Sequence, residues 1–233
     1  NLLGDSTFER DLAGWDLWAD TASGYSATVT LDMTTAAQGS ASARVDVTQS
    51  QGTDWRVEFS KAPVSVISGT EYTLSFWSKA DADRVSRSAV IAAALQQNED
   101  PWESYIWFDD IALTPAWHAY EITGIASGSD SAAVLHLEVG AATGAVWFDV
   151  VRLQTGSRQV WRRDYAGGTA LLNATATTQT APLGGIFRKI RGTQAPAVND
   201  GSLVTQVMLP PLDGLIVLRI GPRIYLPVVL RQL

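Results

Sequence analysis

Apolar and polar residues alternate in short runs along most of this chain, and a helical period is hard to find. Between residues 25 and 153 the runs recur every ten or so residues, and clusters of Gly, Ser, Thr and Asp separate them. Such alternation and spacing are typical of an antiparallel β-sandwich. The predicted strands are Tyr25–Met33, Ser42–Val47, Trp55–Ser60, Tyr72–Lys79, Ala89–Gln96, Ser104–Leu113, Trp117–Ile125, Ala132–Val139 and Val146–Leu153.

The pattern changes after a short Gln-Thr-Gly-Ser segment at residues 154–157. From Val160 onward the character of the sequence changes, and we expect a second, accessory domain over residues 158–221. A domain of about 60 residues buries only a marginal core, so we expect it to pack against a neighbour. The apolar tail, residues 222–233, is open to three interpretations: a docking strand, a sorting tail or a disordered end.

Composition narrows the classes of partner. The chain has 233 residues, a formal net charge of -7 and no Cys. An acidic surface disfavours nucleic acid and anionic membranes, because both require a basic patch. No apolar run approaches the roughly 18 residues of a membrane-spanning helix, and no signal peptide is visible. The lack of Cys excludes a disulfide framework and thiol chemistry but does not decide the compartment.

Three segments carry a resemblance to a known family: Asn1–Glu9 with Gly14 and Trp15, residues 64–81, and the closing Val-Trp-Phe-Asp-Val-Val-Arg-Leu run at 146–153. In this order and spacing they resemble carbohydrate-binding modules of the family 4/9/22 type, over residues 1–154. The resemblance implies a jelly-roll, galactose-binding-like β-sandwich whose first and last strands pair. It also implies binding of a polysaccharide, such as the β-linked plant glycans xylan or glucan, without cleavage.

Residues 158–220 resemble the small C-terminal β-sandwich that follows the catalytic barrel in several glycoside hydrolase families. The matching segments are 160–165, 168–173, 182–185 and 207–219. The resemblance implies a small second β-sandwich in an all-β chain, and a glycoside hydrolase catalytic domain upstream in the parent polypeptide. It also implies a bacterial protein that is secreted or held at the cell surface.

Sugar recognition needs aromatic rings that stack on the C–H face of a pyranose and polar side chains that bond its hydroxyls. The resemblance places such residues at a cleft, in the segment before and within the third predicted strand, in the eighth predicted strand, and in the loop after residue 96. Trp55 and Glu58 have opposite parity, so they share a face only if Trp55 precedes the strand or a bulge intervenes. The candidates are Trp55, Glu58, Gln96, Gln97, Trp102, His136 and Glu138.

Each candidate has a purely structural alternative that the sequence leaves open. Trp55 could be a core aromatic residue, Glu58 a solvated carboxylate, and the pair His136 and Glu138 an ordinary polar outer face. The remaining tryptophans divide into two groups. For Trp107, and likewise for Tyr105, the sequence does not decide between a core and a surface position. For the tryptophans in framework motifs of the family we expect core packing by default; these are Trp15, Trp18, Trp77, Trp117 and Trp147.

A structural calcium ion is a second implication of the resemblance. Calcium prefers carboxylates mixed with backbone carbonyls. Glu9 and Asp149 come from opposite ends of the first domain and would meet where the first and last strands adjoin. Gln38 stands where related modules often have an acid, which removes one charge. The implied ligands are Thr7, Glu9, Gln38, Ala41 and Asp149.

Catalysis by this chain is not expected. A glycosidase needs two carboxyls at a fixed separation, and no spacing in the sequence imposes one. A Gly-x-Ser-x-Gly nucleophile motif and a His cluster for a metal hydrolase are both missing from the sequence. Two alternatives to a polysaccharide-binding module remain: a structural spacer with a degenerate cleft, and a protein-interaction domain.

Overall fold

The computed structural model describes residues 1–88, 90–156 and 159–220, with the backbone alone at Asp109. The chain divides into two compact units at residues 157 and 158. The tail at residues 222–233 lies outside the described residues. Within the described part of the chain, no helix has the length and apolarity required to cross a membrane.

The first unit consists of two antiparallel five-stranded sheets, as the alternation of the sequence predicts, and its all-β sandwich fold is confirmed. The first sheet has the order β1-β4-β9-β6-β7 and the second sheet the order β2-β3-β10-β5-β8. The strands are β1 (Trp15–Ala19), β2 (Ser26–Asp32), β3 (Ser42–Gln49), β4 (Val57–Val66), β5 (Glu71–Ala80), β6 (Val90–Gln96), β7 (Ser104–Ala112), β8 (His118–Ile125), β9 (Asp130–Glu138) and β10 (Gly144–Thr155).

Three short helices accompany these strands. One 3₁₀ turn, Thr21–Ser23, follows β1, and a second, Asp54–Arg56, directly precedes β4. The α-helix α1, Ala82–Arg87, follows β5, and the Asp81 carboxylate caps it by accepting a bond from the backbone N–H of Arg84. The sequence pattern did not predict α1, because six residues are too few to show a helical period.

An aromatic cluster fills the centre of the first unit and joins its two sheets. The Trp15 and Phe59 rings stack with their centroids 4.6 Å apart, and Phe59 lies 6.0 Å from Phe148 of the second sheet. Phe148 in turn contacts Phe76 at 5.9 Å. Because alternate residues of each strand point inward to this core, the intervening residues form the outer faces of the sandwich.

The opening segment differs from the expectation that the first and last strands pair. Residues 1–14 form no regular strand, and β10 pairs instead with β3 and β5. The segment still lies against β10 through single bonds, from the Leu2 amide to the Leu153 carbonyl at 2.7 Å and from the Val151 amide to the Ser6 carbonyl at 3.0 Å. β3 pairs with β10 only as far as Phe148, and the N-terminal segment makes these isolated contacts with β10 beyond that residue.

The second unit is one five-stranded antiparallel sheet of order β11-β12-β15-β13-β14. A register shift in β13 between Pro182 and Phe187 lets this strand pair with both β14 and β15. The resemblance implies a small β-sandwich here. The described residues form one continuous five-stranded sheet, and one core of eight buried residues packs against it. Its strands are β11 (Val160–Tyr165), β12 (Gly168–Asn173), β13 (Gln179–Lys189), β14 (Leu203–Leu209) and β15 (Gly214–Arg219).

One face of the second unit's sheet remains exposed and apolar. Leu171 and Val217 point to the core, so their neighbours in sequence point the other way. Cross-strand pairing places Trp161 beside Leu172, and Ala170 beside Ile216. Trp161 is 67% exposed and Ile216 is 53% exposed. A contiguous exposed apolar surface of this kind commonly marks an interaction site.

The two units differ in charge. Residues 1–157 contain 8 Lys and Arg against 21 Asp and Glu, whereas residues 158–233 contain 9 against 3. The acidic net charge of the chain therefore arises from the first unit alone. The exclusion of anionic partners on the ground of net charge applies to the first unit and not to the second.

Candidate functional site

The outer face of the first sheet carries two rows of side chains that point away from the core. Each row is fixed by cross-strand register, because directly opposed residues lie on the same face. The rows are Trp18, Glu58, Glu138 and Ala92 in the first, and Asp16, Ser60, His136, Ala94 and Trp107 in the second. We call this set of residues the recessed face.

The centre of the recessed face is buried and its two edges are exposed. Glu138 is 2% exposed and His136 is 6% exposed, although both point outward from β9. At the edges, Trp18 of β1 is 47% exposed and Trp107 of β7 is 50% exposed. Four strand spacings of ~4.8 Å separate these edge strands, so the two indoles bound a depression roughly 19 Å wide.

The floor of the recessed face contains polar atoms without protein partners. The His136 Nδ1 atom lies 3.2 Å from Glu58 Oε2, outside hydrogen-bonding alignment. Both ring nitrogens of His136 and the Oε2 atom of Glu138 are buried without a hydrogen-bond partner in the protein. Buried polar groups are nearly always bonded in folded proteins. These unpaired atoms therefore leave hydrogen-bonding capacity on the floor that ordered water or a ligand can fill.

Acidic residues dominate the electrostatics of this floor. Burial, and after it the negative charges of Asp54, Glu58 and Asp110, raise the pKa of Glu138 to about 8. A carboxyl group in such surroundings retains its proton near neutral pH. The floor thus presents a neutral carboxyl group beside an imidazole and a carboxylate.

Trp55 lies at one end of the first sheet's strands. It belongs to the 3₁₀ turn that precedes β4. Trp55 and Glu58 would point to opposite faces of a regular strand, so a position before the strand is what allows both to reach one face. Trp55 is 44% exposed, and the Arg56 guanidinium lies 4.4 Å from the centroid of its ring. Arg56 is also bonded to the Asp20 carboxylate. The indole is therefore held in place and open to solvent on its other face.

Trp102 lies at the opposite end of the strands, in the loop between β6 and β7. It is 54% exposed and its backbone has a φ of 59°. Gln97 braces this loop: its backbone N–H donates to the Glu103 carbonyl at 2.9 Å, and its side-chain oxygen accepts from the Glu103 amide at 3.1 Å. Gln96, the last residue of β6, lies on the same face as Ala92 and Ala94.

The predicted sugar-binding residues thus fall into three places. Glu58, His136 and Glu138 meet at the centre, Trp55 lies at one end, and Gln96, Gln97 and Trp102 lie at the other. The edge tryptophans were not among the predicted residues. Trp18 was assigned to the core by default, and that assignment is wrong because alternation with the buried Trp15 turns it outward. The same parity argument, applied to Ile106 and Phe108, places Trp107 outside.

The other framework tryptophans also differ from the expectation of core packing. Only Trp15 among them is buried, at 7% exposure. Trp77, Trp117 and Trp147 are half-buried, and Trp147 and Trp117 surround the Lys79 ammonium, which lies 4.6 Å and 5.3 Å from their ring centroids. These residues cover the outer side of the second sheet, where the long side chain of Lys79 packs between two rings.

The predicted calcium ligands come together at the N-terminal segment and β10. Asp149 is fully buried, and its Oδ2 atom accepts bonds from the Ala37 and Gln38 amides at 2.8 Å and 2.9 Å. The Glu9 carboxylate accepts from the Ser40 amide at 3.0 Å and from its hydroxyl at 2.9 Å. Burial raises the pKa of Asp149, and the two amides oppose that effect.

One glycine is needed for this arrangement. Gly39 has a φ of 71°, and a Cβ atom there would lie 2.1 Å from Oε1 of Glu9. The close approach of the carboxylate to the backbone is therefore possible only without a side chain. The Thr7 hydroxyl donates to the Asp5 carboxylate at 2.8 Å, and both the hydroxyl and the carbonyl oxygen of Thr7 retain lone pairs for a cation.

The donor set at this seam fits a hard cation. The Oδ1 atom of Asp149 is buried and has no hydrogen-bond partner in the protein, and the Glu9 carboxylate lies close enough to raise the Asp149 pKa through its charge. Two carboxylates and nearby carbonyls are the ligands that calcium prefers. Among the residues that the structure describes, no three His, Cys, Asp or Glu side chains cluster as a metal site. A calcium ion here would depend on backbone carbonyls for the rest of its shell.

Comparisons with known proteins agree with this architecture. A comparison with curated sequences finds no match. Among solved structures, a family 4 carbohydrate-binding module is 22% identical with a TM-score of 0.53, covering 66% of this chain and 99% of its own. An arabinose-bound GH51 α-L-arabinofuranosidase is 18% identical with a TM-score of 0.54, covering 66% of this chain and 26% of its own. At these identities the likeness concerns the fold.

A family model gives the more specific result. Residues 1–144 match the model of the family CBM_4_9, described as a carbohydrate binding domain. The match spans more than half of the chain and includes every strand of the first sheet and all residues of the recessed face. The resemblance of the first domain to carbohydrate-binding modules is thereby confirmed. The chain belongs to the CBM_4_9 carbohydrate-binding domain family.

Proposed function

We propose that the recessed face binds a neutral, β-linked plant polysaccharide such as xylan or mixed-linkage glucan and does not cleave it. Membership of a carbohydrate-binding family supports a polysaccharide as the ligand. The acidic character of the first unit supports an uncharged ligand, because an anionic glycan would be repelled by Glu58, Asp54 and Asp110.

One observation carries this proposal most directly. Two exposed indoles, Trp18 and Trp107, flank a floor on which His136 Nε2 and Glu138 Oε2 are buried without protein partners. Aromatic edges supply stacking for pyranose rings, and the unpaired nitrogen and oxygen supply hydrogen-bond partners for hydroxyls. A few convergent polar groups between apolar walls are the usual composition of a small-molecule or glycan site.

Affinity electrophoresis against a panel of soluble polysaccharides tests the proposal. The chain should be retarded in gels that contain xylan or mixed-linkage glucan, and Trp55→Ala and Trp102→Ala should each weaken binding by about 1–3 kcal/mol, the range for burying or stacking a large aromatic ring. Trp161→Ala, in the second unit, is the control and should migrate as the parent does. Unchanged retardation of both Trp55 and Trp102 variants would remove these two residues from the site.

A protein partner for the recessed face is the second candidate function. The exposed Trp18 and Trp107 would also suit a protein interface, in which Trp is enriched. Unpaired polar atoms at the centre of the floor favour the glycan, because the centres of protein interfaces are fully packed. Failure of every polysaccharide in the panel to retard the chain would favour the protein partner or a structural spacer.

We further propose that calcium binds at the seam of Glu9 and Asp149, with backbone carbonyls around Thr7, Gln38 and Ala41. The fully buried Oδ1 atom of Asp149, which lacks a protein partner, supports this proposal. A divalent cation there would neutralise two nearby carboxylates and fasten the N-terminal segment to β10. Its role would be structural, because the seam carries no residue of the recessed face.

Calcium should raise the melting temperature of the first unit, since a ligand that binds only the folded state stabilises it by mass action. At a calcium concentration 100 times the Kd, the stabilisation is about 2.7 kcal/mol. A chelator should reverse the shift, and Asp149→Asn should remove the response. Asp200→Asn, in the second unit, is the control. A melting curve that ignores both calcium and chelator would contradict the proposal.

The wider context of the chain completes the proposal. We infer that it belongs to a longer glycoside hydrolase, secreted or held at a bacterial cell surface, whose catalytic domain lies upstream. The exposed apolar face of the second unit, with Trp161 and Ile216, supports a docking role toward a neighbouring domain. Reading the coding sequence on either side of this segment for a catalytic barrel tests this part directly.

A further inference from the structure

Glu138 differs from the other acids of the recessed face in its environment. It points outward from β9, yet its exposure is only 2%. Its cross-strand neighbours are Glu58 on β4 and Ala92 on β6, neither of which can supply a positive charge. Its Oε2 atom has no hydrogen-bond partner in the protein. A buried carboxylate without a partner is strongly disfavoured in this setting.

The charged groups that face Glu138 are all acidic or already engaged. The negative charges of Asp54, from the 3₁₀ turn, of Glu58, from β4, and of Asp110, from β7, act on it. His136, on the same strand, lies beside Glu58 at 3.2 Å. Arg56, the cation of the 3₁₀ turn, is bonded to Asp20 and stacked on Trp55. Burial together with these charges raises the pKa of Glu138 to about 8.

A neutral carboxyl group has a different chemistry from a carboxylate. It donates one hydrogen bond, whereas a carboxylate only accepts. A polysaccharide has oxygens of both kinds: its hydroxyls donate and accept, but its ring and glycosidic oxygens can only accept. A donor on the floor is therefore able to recognise an oxygen that Glu58, as a carboxylate, cannot.

We propose that Glu138 binds the glycan as a neutral carboxylic acid whose O–H donates a hydrogen bond to an acceptor oxygen of the ligand, so that the recessed face releases the glycan in alkaline solution. This inference rests on the proposed glycan-binding function. The proton of the Glu138 carboxyl group then allows the floor to recognise an acceptor oxygen of the glycan, and binding is confined to pH values at which that proton is present. Ionisation of Glu138 removes the donor and places a fourth negative charge beside Asp54, Glu58 and Asp110.

Affinity measured against pH tests the inference, with the full chain and a soluble neutral glycan that retards it at pH 6.5. If only the neutral form binds, the affinity at pH 9.5 should be about thirtyfold lower, because that pH lies roughly 1.5 units above a pKa of about 8. Glu138→Gln retains an N–H donor and cannot ionise, so its affinity should show no alkaline fall. Glu71→Gln, the same change on the second sheet, should fall as the parent does.

A direct measurement of the proton accompanies the binding series. Difference infrared spectroscopy of the ligand-free chain should show a protonated carboxyl band at pH 7 that falls to half its intensity near pH 8, is nearly lost by pH 9.5 and is missing from the Glu138→Gln variant. Binding that is constant from pH 6.5 to 9.5, or an alkaline fall that persists in Glu138→Gln, overturns the inference and leaves the glycan-binding function standing. Lack of retardation by any glycan at any pH overturns both.

Discussion

Replacing Trp18 and Trp107 together with alanine is expected to abolish retention by polysaccharide. The two indoles stand at opposite edges of the recessed face, each about half exposed, so each has a ring face free for a sugar. Loss of one stacked aromatic ring costs about 1–3 kcal/mol, and 1.4 kcal/mol corresponds to tenfold in affinity. The double variant should therefore bind roughly 30-fold more weakly or worse, as measured by affinity electrophoresis and titration calorimetry.

A matched pair of substitutions controls for the loss of exposed aromatic surface. Trp161→Ala/Tyr165→Ala removes two exposed aromatic rings from β11 of the second unit and should leave retention unchanged. The pair Trp55→Ala/Trp102→Ala distinguishes two directions of binding. If that pair abolishes retention while Trp18→Ala/Trp107→Ala retains it, the glycan lies along the strands between the two loops and does not stack on the edge indoles Trp18 and Trp107.

The alternation of the sequence was sufficient to predict β2 to β10 of the first unit, but it did not predict the five-residue β1. It also predicted the facing of His136 and Glu138, because Leu135 and Leu137 define the opposite parity. The register between strands cannot be predicted from alternation within one strand. Nothing local in β4 or β9 shows that Glu58 lies opposite Glu138, since that pairing joins residues 80 positions apart. The recess itself therefore could not be read from the sequence.

The edge tryptophans show a second limit. Trp18 belongs to a strand of five residues, in a segment that matches a family framework motif, and the motif suggested core packing. Parity within the strand contradicts the motif, because Trp15 and Leu17 face the core together. A local geometric rule is the better guide in this case. Motifs report which residues recur in a family, whereas parity determines which side of the sheet a residue occupies.

Arg84 shows what neither alternation nor motifs could predict. It lies in the charged run Asp-Ala-Asp-Arg, which is typical of a solvated turn, yet its side chain is fully buried. Its Nη2 atom donates to the Val139 carbonyl at 2.7 Å, and its Nη1 atom donates to the Ala142 carbonyl. Burial lowers the pKa of Arg84 to about 10, with Asp81 opposing the shift, so the guanidinium stays charged at neutral pH.

Arg84→Met is expected to lower the free energy of unfolding of the first unit by about 3–5 kcal/mol. Met fills much of the space but leaves two buried carbonyls without donors, and each unpaired buried group costs about 1–3 kcal/mol. The loop between β9 and β10 depends on these bonds. Its Gly140 amide donates to the Asp54 carbonyl at 2.7 Å, which connects the loop to the turn that carries Trp55. Urea unfolding followed by tryptophan fluorescence measures the change.

Arg87→Met is the matched control, because it makes the same chemical change one turn further along α1. The Arg87 side chain donates a single bond, to the Thr143 carbonyl at 3.0 Å, in an exposed setting. Surface substitutions of this kind usually change stability by no more than about 0.5 kcal/mol. Equal losses in the two variants would show that helix propensity or net charge, and not the buried guanidinium, sets the stability. An Arg84→Met protein as stable as the parent would show that the loop carbonyls find water instead, so that the end of the recessed face near Trp55 does not depend on Arg84.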